Sequence, residues 1–391
     1  MRVVHITPYF APAFRYGGPP RSVLGLCKGL QRAGVQVEVL TTTANGPVDL
    51  DASPREGSHY EGVPVRYLPA AFPRRFFGAK MRSAIVSALE RADLCHIHGI
   101  WNVPEWMATR LARARRVPYL VSPRGMLQPA AWRSGRWRKE AAFRLIERAI
   151  LTRADLLHAT SEAEADVLRG LGLHVPVVVV PNGVDVQAAA SAGRGFRAMF
   201  PIPPEAFVIV FLGRVHPIKR LDLLASAFAA LRETHPDAHL VIAGPDERGQ
   251  LAEILGTLSA HAGYVHAVDT VTDADKWALL RDADALVQCS DSESFGLSVA
   301  EAMAARAPVV VTRTCPWPEI ETRGCGLYIE QTAPAITAAL KRLMADRALA
   351  AEMGERGAAF VRERYGWEAI ARRLAAAYAD ALEQRKHDRV A

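Results

Sequence analysis

The sequence predicts an α/β protein made of two doubly wound parallel sheets. Short β-branched runs alternate with Ala/Leu/Arg-rich segments of helical period, and this alternation occurs as two successive series. The 391 residues suffice for two domains of ordinary size, and 50% hydrophobic with 23% charged residues is the balance of a globular chain.

The first series reads as strands at Val3–Thr7, Val35–Thr41, Leu94–His98, Tyr119–Ser122 and Val177–Val180. Helical segments near 20–33, 80–91, 104–115, 137–152 and 161–171 separate them. The second series has strands at Val208–Leu212, His239–Ala243, Gly263–Val268, Ala285–Gln288 and Val309–Thr312, with helices near 219–234, 248–260, 275–282 and 297–305 between them. Pro181–Asp185, P-N-G-V-D, is a strong turn and sets the boundary, giving domains 1–185 and 186–366. Segments near 333–345, 347–363 and 367–385 complete the helices. The Tyr365-Gly366-Trp367 break predicts that the last one turns back to the first domain.

Charge is uneven. Residues 1–185 hold 25 Lys+Arg against 15 Asp+Glu, a net +10, whereas the rest hold 23 against 26, a net −3. Such a basic half suits an anionic lipid surface, a pyrophosphate-bearing substrate or nucleic acid, or is a solvated exterior with no dedicated partner. No recognised nucleic-acid-binding module appears, which disfavours nucleic acid. Five scattered cysteines without a C-x-x-C pair indicate neither zinc nor a disulfide framework, and fit reduced thiols in the cytoplasm. The opening M-R-V-V-H-I-T-P-Y-F reads as a strand, its apolar run being too short for a secretory signal. No stretch approaches the ~20 apolar residues of a membrane span, so any membrane attachment is expected to be peripheral.

The most informative chemistry lies in Cys289–Pro308. Glu293 and Glu301 stand eight residues apart across a polar turn that enters a small-residue helix. A helix starting near Gly296 would aim its free N–H groups at a ligand beside Ser294, Phe295 and Gly296, an anion seat flanked by carboxylates. That combination suits a molecule that is half phosphate and half polyol. Strand Val208–Leu212 runs into G-R-V-H-P-I-K-R, placing Arg214 and Lys219 where a diphosphate would sit and where charge on a leaving nucleotide needs cations. In the first domain, Gly17-Gly18 allows close backbone approach after the first strand, and Arg21 follows at a helix start. His98 closes the strand of H-I-H-G and is open to two readings, substrate contact or a satisfied structural role. Arg124 in S-P-R-G-M-L joins the same rim.

Other motifs are weaker. The Asp-x-Asp triplets Asp49/Asp51, Asp273/Asp275 and Asp282/Asp284 read as solvated loop and cap carboxylates rather than as metal ligands. The basic segments 73–82 and 132–153, the latter flanked by Trp132 and Trp137, suit docking on anionic headgroups, or an ordinary helix packed by Phe143, Ile146 and Ile150. No G-x-G-x-x-G or Walker loop is present, which argues against hydride transfer on a dinucleotide and against a P-loop nucleotidase.

Over essentially its whole length the chain resembles the family-4 retaining glycosyltransferases of the GT-B fold. The matching pieces are G-G-P-P-R, H-I-H-G, S-P-R-G-M-L, H-A-T-S-E-A-E, P-N-G-V-D, F-L-G-R-V-H-P-I-K-R, V-I-A-G-P and S-E-S-F-G-L-S-V-A-E-A-M-A, the family's E-x7-E element. The resemblance implies two Rossmann-like domains facing a central cleft. It implies that Arg214 and Lys219 hold the donor diphosphate and that Glu293 contacts the donor sugar. Phe295, Gly296 and Leu297 would supply backbone donors, Glu301 would grip the ribose, and Val271 would lie near the base. Gly17-Gly18 would approach the phosphate from the acceptor-side domain. Where many members carry a histidine this chain has Arg124, which leaves the sugar-contacting residue of that loop open, with His98 a substitute. The implied activity is sugar transfer with retention from a nucleotide sugar, the co-substrate, to a saccharide or lipid-linked saccharide in cell-surface polysaccharide or glycolipid synthesis. Neither cofactor nor metal is expected. A nucleotide-sugar isomerase using His98 as acid/base, or a non-catalytic membrane-surface scaffold, are the alternative readings.

Overall fold

The structure, a computed structural model, describes residues 1–51, 58–70, 80–133 and 136–390. The chain divides into two compact units, Met1–Gly183 with Trp367–Ala391, and Val184–Gly366.

The sheet of the first unit has strands β1 (Arg2–Ile6), β2 (Gln36–Thr42), β3 (His59–Tyr60), β4 (Val63–Leu68), β5 (Leu94–His98), β6 (Tyr119–Ser122), β7 (Leu156–Ala159) and β8 (Val177–Val179). Their order is β3-β4-β2-β1-β5-β6-β7-β8, parallel throughout except for the short β3 edge. The winding reverses between β1 and β5, so ligands belong outside the carboxyl ends of those two strands. Each face of the sheet carries its own apolar cluster. Ile97, Tyr119 and Val121 belong to one and Val3, Val39 and Leu120 to the other.

The C-terminal helix Trp367–Val390 packs on Gly18–Arg32 through Ile370, Leu374 and Tyr378. Gly25 makes this possible, because a Cβ there would sit 2.3 Å from the Trp367 ring. The C-terminal segment thus belongs structurally to the first unit.

The second unit has β9 (Phe207–Leu212), β10 (Ala238–Ala243), β11 (Val265–Val268), β12 (Ala285–Gln288), β13 (Val309–Thr312) and β14 (Gly326–Ile329), all parallel, in the order β11-β10-β9-β12-β13-β14. The reversal here falls between β9 and β12. Their carboxyl ends lead into the loops of Arg214–Lys219 and Ser290–Gly296. Gly244, after β10, presses against the first of these loops, where a Cβ would lie 2.0 Å from the Gly213 carbonyl oxygen.

Strands β3, β4, β7 and β14 were not legible in the sequence. Pro64 demotes β4, and L-L-H-A of β7 lacks β-branched residues, so pairing with neighbours decides both. The single helix expected over 137–152 is instead Arg136–Ala142, a π-helical turn at Phe143–Glu147, and Arg148–Leu151.

Candidate functional site

In the second unit, strand β9 ends in a glycine-initiated loop whose last turn, Pro217–Lys219, is a 3₁₀ helix capped by His216. Lys219 Nζ meets Glu293 Oε1 at 2.5 Å, with both side chains largely buried. The same Glu293 oxygen accepts from Gln288 Nε2 and from Ser290 Oγ, each at 2.7 Å. Ser298 Oγ in turn donates to Gln288 Oε1 at 2.9 Å. Glu293 therefore sits in a fixed polar nest at the end of β12. A hydrogen-bonded carboxylate held this way is preorganised to accept ligand hydroxyls.

Gly296, with φ 83°, is the N-cap of helix Leu297–Ala304, which opens where the sequence places it. The Phe295 side chain turns into the core against Trp317 and Tyr365, and its carbonyl accepts from Trp317 Nε1 at 2.5 Å. This anchors the backbone at Phe295, and leaves that residue's contribution to a ligand to its main chain. Glu301, one turn into the helix, is buried and its Oε1 accepts from Lys276 Nζ at 2.7 Å, itself buried on helix Asp273–Asp282 and also 3.3 Å from Asp273. Arg214 pairs with Glu247, and Val271 lies in the core cluster. Lys219 and Glu293 thus come into direct contact, whereas Arg214 and Glu301 each hold a separate partner.

In the first unit, Gly17, with φ 78°, caps the helix that begins at Gly18, and Arg21 lies over the Phe14 ring at 4.1 Å. His98 is buried at the end of β5. Arg124, in the left-handed region with φ 53°, donates from Nε and Nη2 to His98 Nδ1 at 3.2 and 3.0 Å. An arginine is only a donor, so His98 Nδ1 is the acceptor and its Nε2–H points to His5 Nδ1 at 2.9 Å. Both ring nitrogens of His98 are thereby engaged. Of the two readings of His98, these bonds match the satisfied structural one, with the ring supporting Arg124 from beneath.

A second chain of bonds orders the neighbouring rings. His158 Nε2 faces the Val180 carbonyl at 2.7 Å and must donate. Its Nδ1 then accepts from Ser122, Ser122 accepts from His96 Nε2, and His96 Nδ1 accepts from the Tyr378 hydroxyl, each at 2.6 Å. Every histidine here is neutral. Burial, then the Arg124 charge, holds His5 down to about 3, and burial holds His158 down to about 4; His96 and His98 are also pushed well below the usual range, chiefly by burial. Among the described residues His5, His96 and His98 are the one cluster with metal-ligand spacing. Of their ring nitrogens only His5 Nε2 lacks a partner, and the Arg124 guanidinium abuts the group.

Asp49, Asp51 and Asp273 are exposed, as expected of solvated carboxylates, whereas the Asp282/Asp284 triplet has a structural role instead. Asp282 is buried and accepts from the Gly195 and Arg197 amides, while Asp284 pairs with Arg197 and Arg347. In the basic segment, Trp132 packs on Trp101 and Phe143, which leaves Trp137 and Leu145 exposed. Segment 73–82 lies, apart from residues 80–82, outside the described residues. Among the described residues no helix is long and apolar enough to cross a membrane.

Two winding reversals with polar loops at their carboxyl ends define a two-domain, ligand-binding α/β protein. The family comparisons make this specific: residues 17–183 match the glycosyl transferase 4-like domain and residues 195–360 the glycosyl transferases group 1 domain. The chain is 32% identical to a D-inositol 3-phosphate glycosyltransferase of Streptomyces bingchenggensis, over 98% of this chain and 89% of that one. A relative of the same description from Kineococcus radiotolerans is also 32% identical, over 99% and 96% of the two chains. Among solved structures, sucrose-phosphate synthase from Thermosynechococcus elongatus superposes with a TM-score of 0.77 at 22% identity, covering 98% of this chain and 99% of that one. HepE of Anabaena, solved with UDP-glucose, gives 0.77 at 17% identity, covering 97% and 100%. The chain belongs to the family-4 glycosyltransferases of the GT-B fold, and is a sugar transferase.

Sequence reasoning missed Gln288, Ser290 and Ser298, which build the nest around Glu293, and Lys276, which holds Glu301. Lys276 carries no local signal, since it meets Glu301 across 25 positions only because the two helices are neighbours. Gln288 had one: a polar residue ending an otherwise apolar strand at the winding reversal.

Proposed function

We propose that the chain transfers a sugar, with retention, from a nucleotide-sugar donor held by the second unit to a hydroxyl of a saccharide, lipid-linked saccharide or phosphorylated polyol. The Lys219–Glu293 pair in its polar nest is the observation that carries this reading. Lys219 and Arg214 stabilise charge building on the departing diphosphate, and Glu293 holds the donor sugar. Glu301 with Lys276 meets the ribose. The main chain at Gly296 and Leu297, at the amino end of their helix, faces the phosphates. Glu293 acting on the donor sugar as a hydrogen-bond acceptor rather than as a nucleophile, the leaving diphosphate itself takes the proton of the incoming hydroxyl on the face from which it departs. The protein supplies position and charge.

In the first unit, Arg124 donates to His98, Ser22 and Asn182, all neutral. Arg124 has no carboxylate among these hydrogen-bond partners, Glu164 acting on it only through space, and such a cation suits an anionic group on the acceptor. That supports a phosphate-bearing acceptor, in line with the inositol-phosphate substrate in the relatives' description. The transferase reading is preferred to the isomerase alternative, whose acid/base candidate His98 has protein partners on both nitrogens. We also infer that no bound metal is needed, the cations at the diphosphate being side chains.

Thermal shift with UDP-, GDP- and ADP-sugars identifies the donor, because a ligand that binds the native state raises its stability by mass action. With that donor, Lys219→Ala is expected to lower turnover about 10²-fold. Turnover unchanged in this variant removes the pair from the reaction. Activity that persists in a chelator, and a product whose anomeric configuration matches the donor's, test metal independence and retention.

A further inference from the structure

Arg220, directly after Lys219, adopts φ 54° and ψ 43°, the left-handed region that a side chain other than glycine enters at a cost. Strain at a site's edge persists only when surrounding contacts over-determine it. Here they do. The guanidinium donates from Nε to Asp222 Oδ1 at 3.0 Å, from Nη2 to Asp222 Oδ2 at 2.9 Å, and from Nη1 to Asp291 Oδ1 at 3.1 Å. Gln331 Nε2 binds the same Asp291 oxygen at 3.1 Å and the Cys289 carbonyl at 2.9 Å.

Asp291 precedes Glu293 by two residues, and Arg220 follows Lys219 by one. Two backbone-level stitches join the same segments: the Asp291 amide donates to the Ile218 carbonyl at 2.8 Å, and Cys289 Sγ to the Arg220 carbonyl at 3.3 Å. With two carboxylates already on it, Arg220 is neutralised, and so is unsuited to serve as another diphosphate ligand. An N-cap role does not account for it either, since its side chain makes no capping bond.

We propose that Arg220 is a positioning residue for sugar transfer: its ion pair with Asp291 clamps the turn bearing Lys219 to the loop bearing Glu293. The Lys219–Glu293 distance is then set before the donor arrives. The clamp rests on the assignment of that pair to the donor site. Loss of such registration is the kind of displacement that costs up to about 10²-fold in rate.

The test measures kcat and KM for release of nucleoside diphosphate from UDP-glucose, GDP-mannose and ADP-glucose, using whichever the intact protein turns over. Arg220→Gly relieves the backbone, so its Tm is expected to hold, while kcat falls about 10- to 100-fold. Asp291→Asn leaves the backbone of Arg220 alone and is expected to give a similar fall, with the double variant no worse than either single one. Arg220→Lys, which reaches one carboxylate, should recover part of the rate. An Arg220→Gly enzyme with normal kcat and KM overturns the clamp, as does a double variant whose losses multiply. Lys219→Ala separates this from failure of the donor-site reading. If it too is fully active, the site assignment fails; if it is inactive while Arg220→Gly and Asp291→Asn are normal, only the clamp fails.

Discussion

His158 offers a quantitative probe of the buried network in the first unit. Its ring is neutral in the folded chain, held down to about 4, against the usual 6.5 of an unfolded chain. The unfolded state therefore binds the extra proton between those values, and the stabilisation is full above pH 6.5 and lost as pH falls towards 4. Integrated from pH 7.5 to 5.5, the loss for one such histidine is about 1.4 kcal/mol. Buried carboxyls act in the opposite direction over the same range, because burial raises Glu105, Glu147 and Glu164. The whole-protein pH profile consequently mixes both signs, and a difference measurement is needed. His158→Gln keeps an acceptor for Ser122 and a donor for the Val180 carbonyl but does not titrate. Urea unfolding of both proteins at pH 7.5 and 5.5 should show the wild type losing about 1.4 kcal/mol more than the variant. A wild-type-minus-variant difference that stays constant within about 0.3 kcal/mol would refute the buried neutral assignment of His158 and the bond directions derived from it.

Other substitutions probe buried charge in each unit. Lys276→Met removes the partner of buried Glu301 and should cost about 3–5 kcal/mol in urea unfolding. Adding Glu301→Gln should restore part of that stability without restoring nucleotide affinity. Glu105 is pushed up to about 8 by burial, with Asn102 donating to its Oε1 at 2.9 Å. It is protonated when folded and ionised when unfolded at neutral pH, so its contribution is present below about pH 4.5 and fades as pH rises through 8. Glu105→Gln is accordingly expected to stabilise the protein by about 1–3 kcal/mol at pH 7, with the gain shrinking below pH 5 in denaturant titrations. Equal stability of the two at both pH values would count against a buried, protonated Glu105.

Much of the fold was legible because a parallel sheet covered on both faces demands continuous apolar strands, and these appear in the chain as runs such as F-V-I-V-F-L and A-H-L-V-I-A. The site was half legible. Glu293, Gly296 and Glu301 form a local pattern, and Lys219 follows the end of a strand, so short-range spacing reveals both.

What the chain order by itself determined is the set of groups delivered to the carboxyl ends of the strands, since strand length and turn position are local properties. Only the tertiary structure decided which of them meet. Strands β9 and β12 are neighbours through a crossover, and this joins Lys219 to Glu293 across 74 positions and Arg220 to Asp291 across 71. The same is true of His98. Its place at the mouth of a strand was evident, but its hydrogen-bond partners are Arg124 and His5, which approach from neighbouring strands and occupy both of its nitrogens. Periodicity records which way a side chain faces along its own strand. The partner waiting there is decided by sheet order and packing, because a hydrogen bond is a matter of distances in space that the linear spacing of residues does not encode.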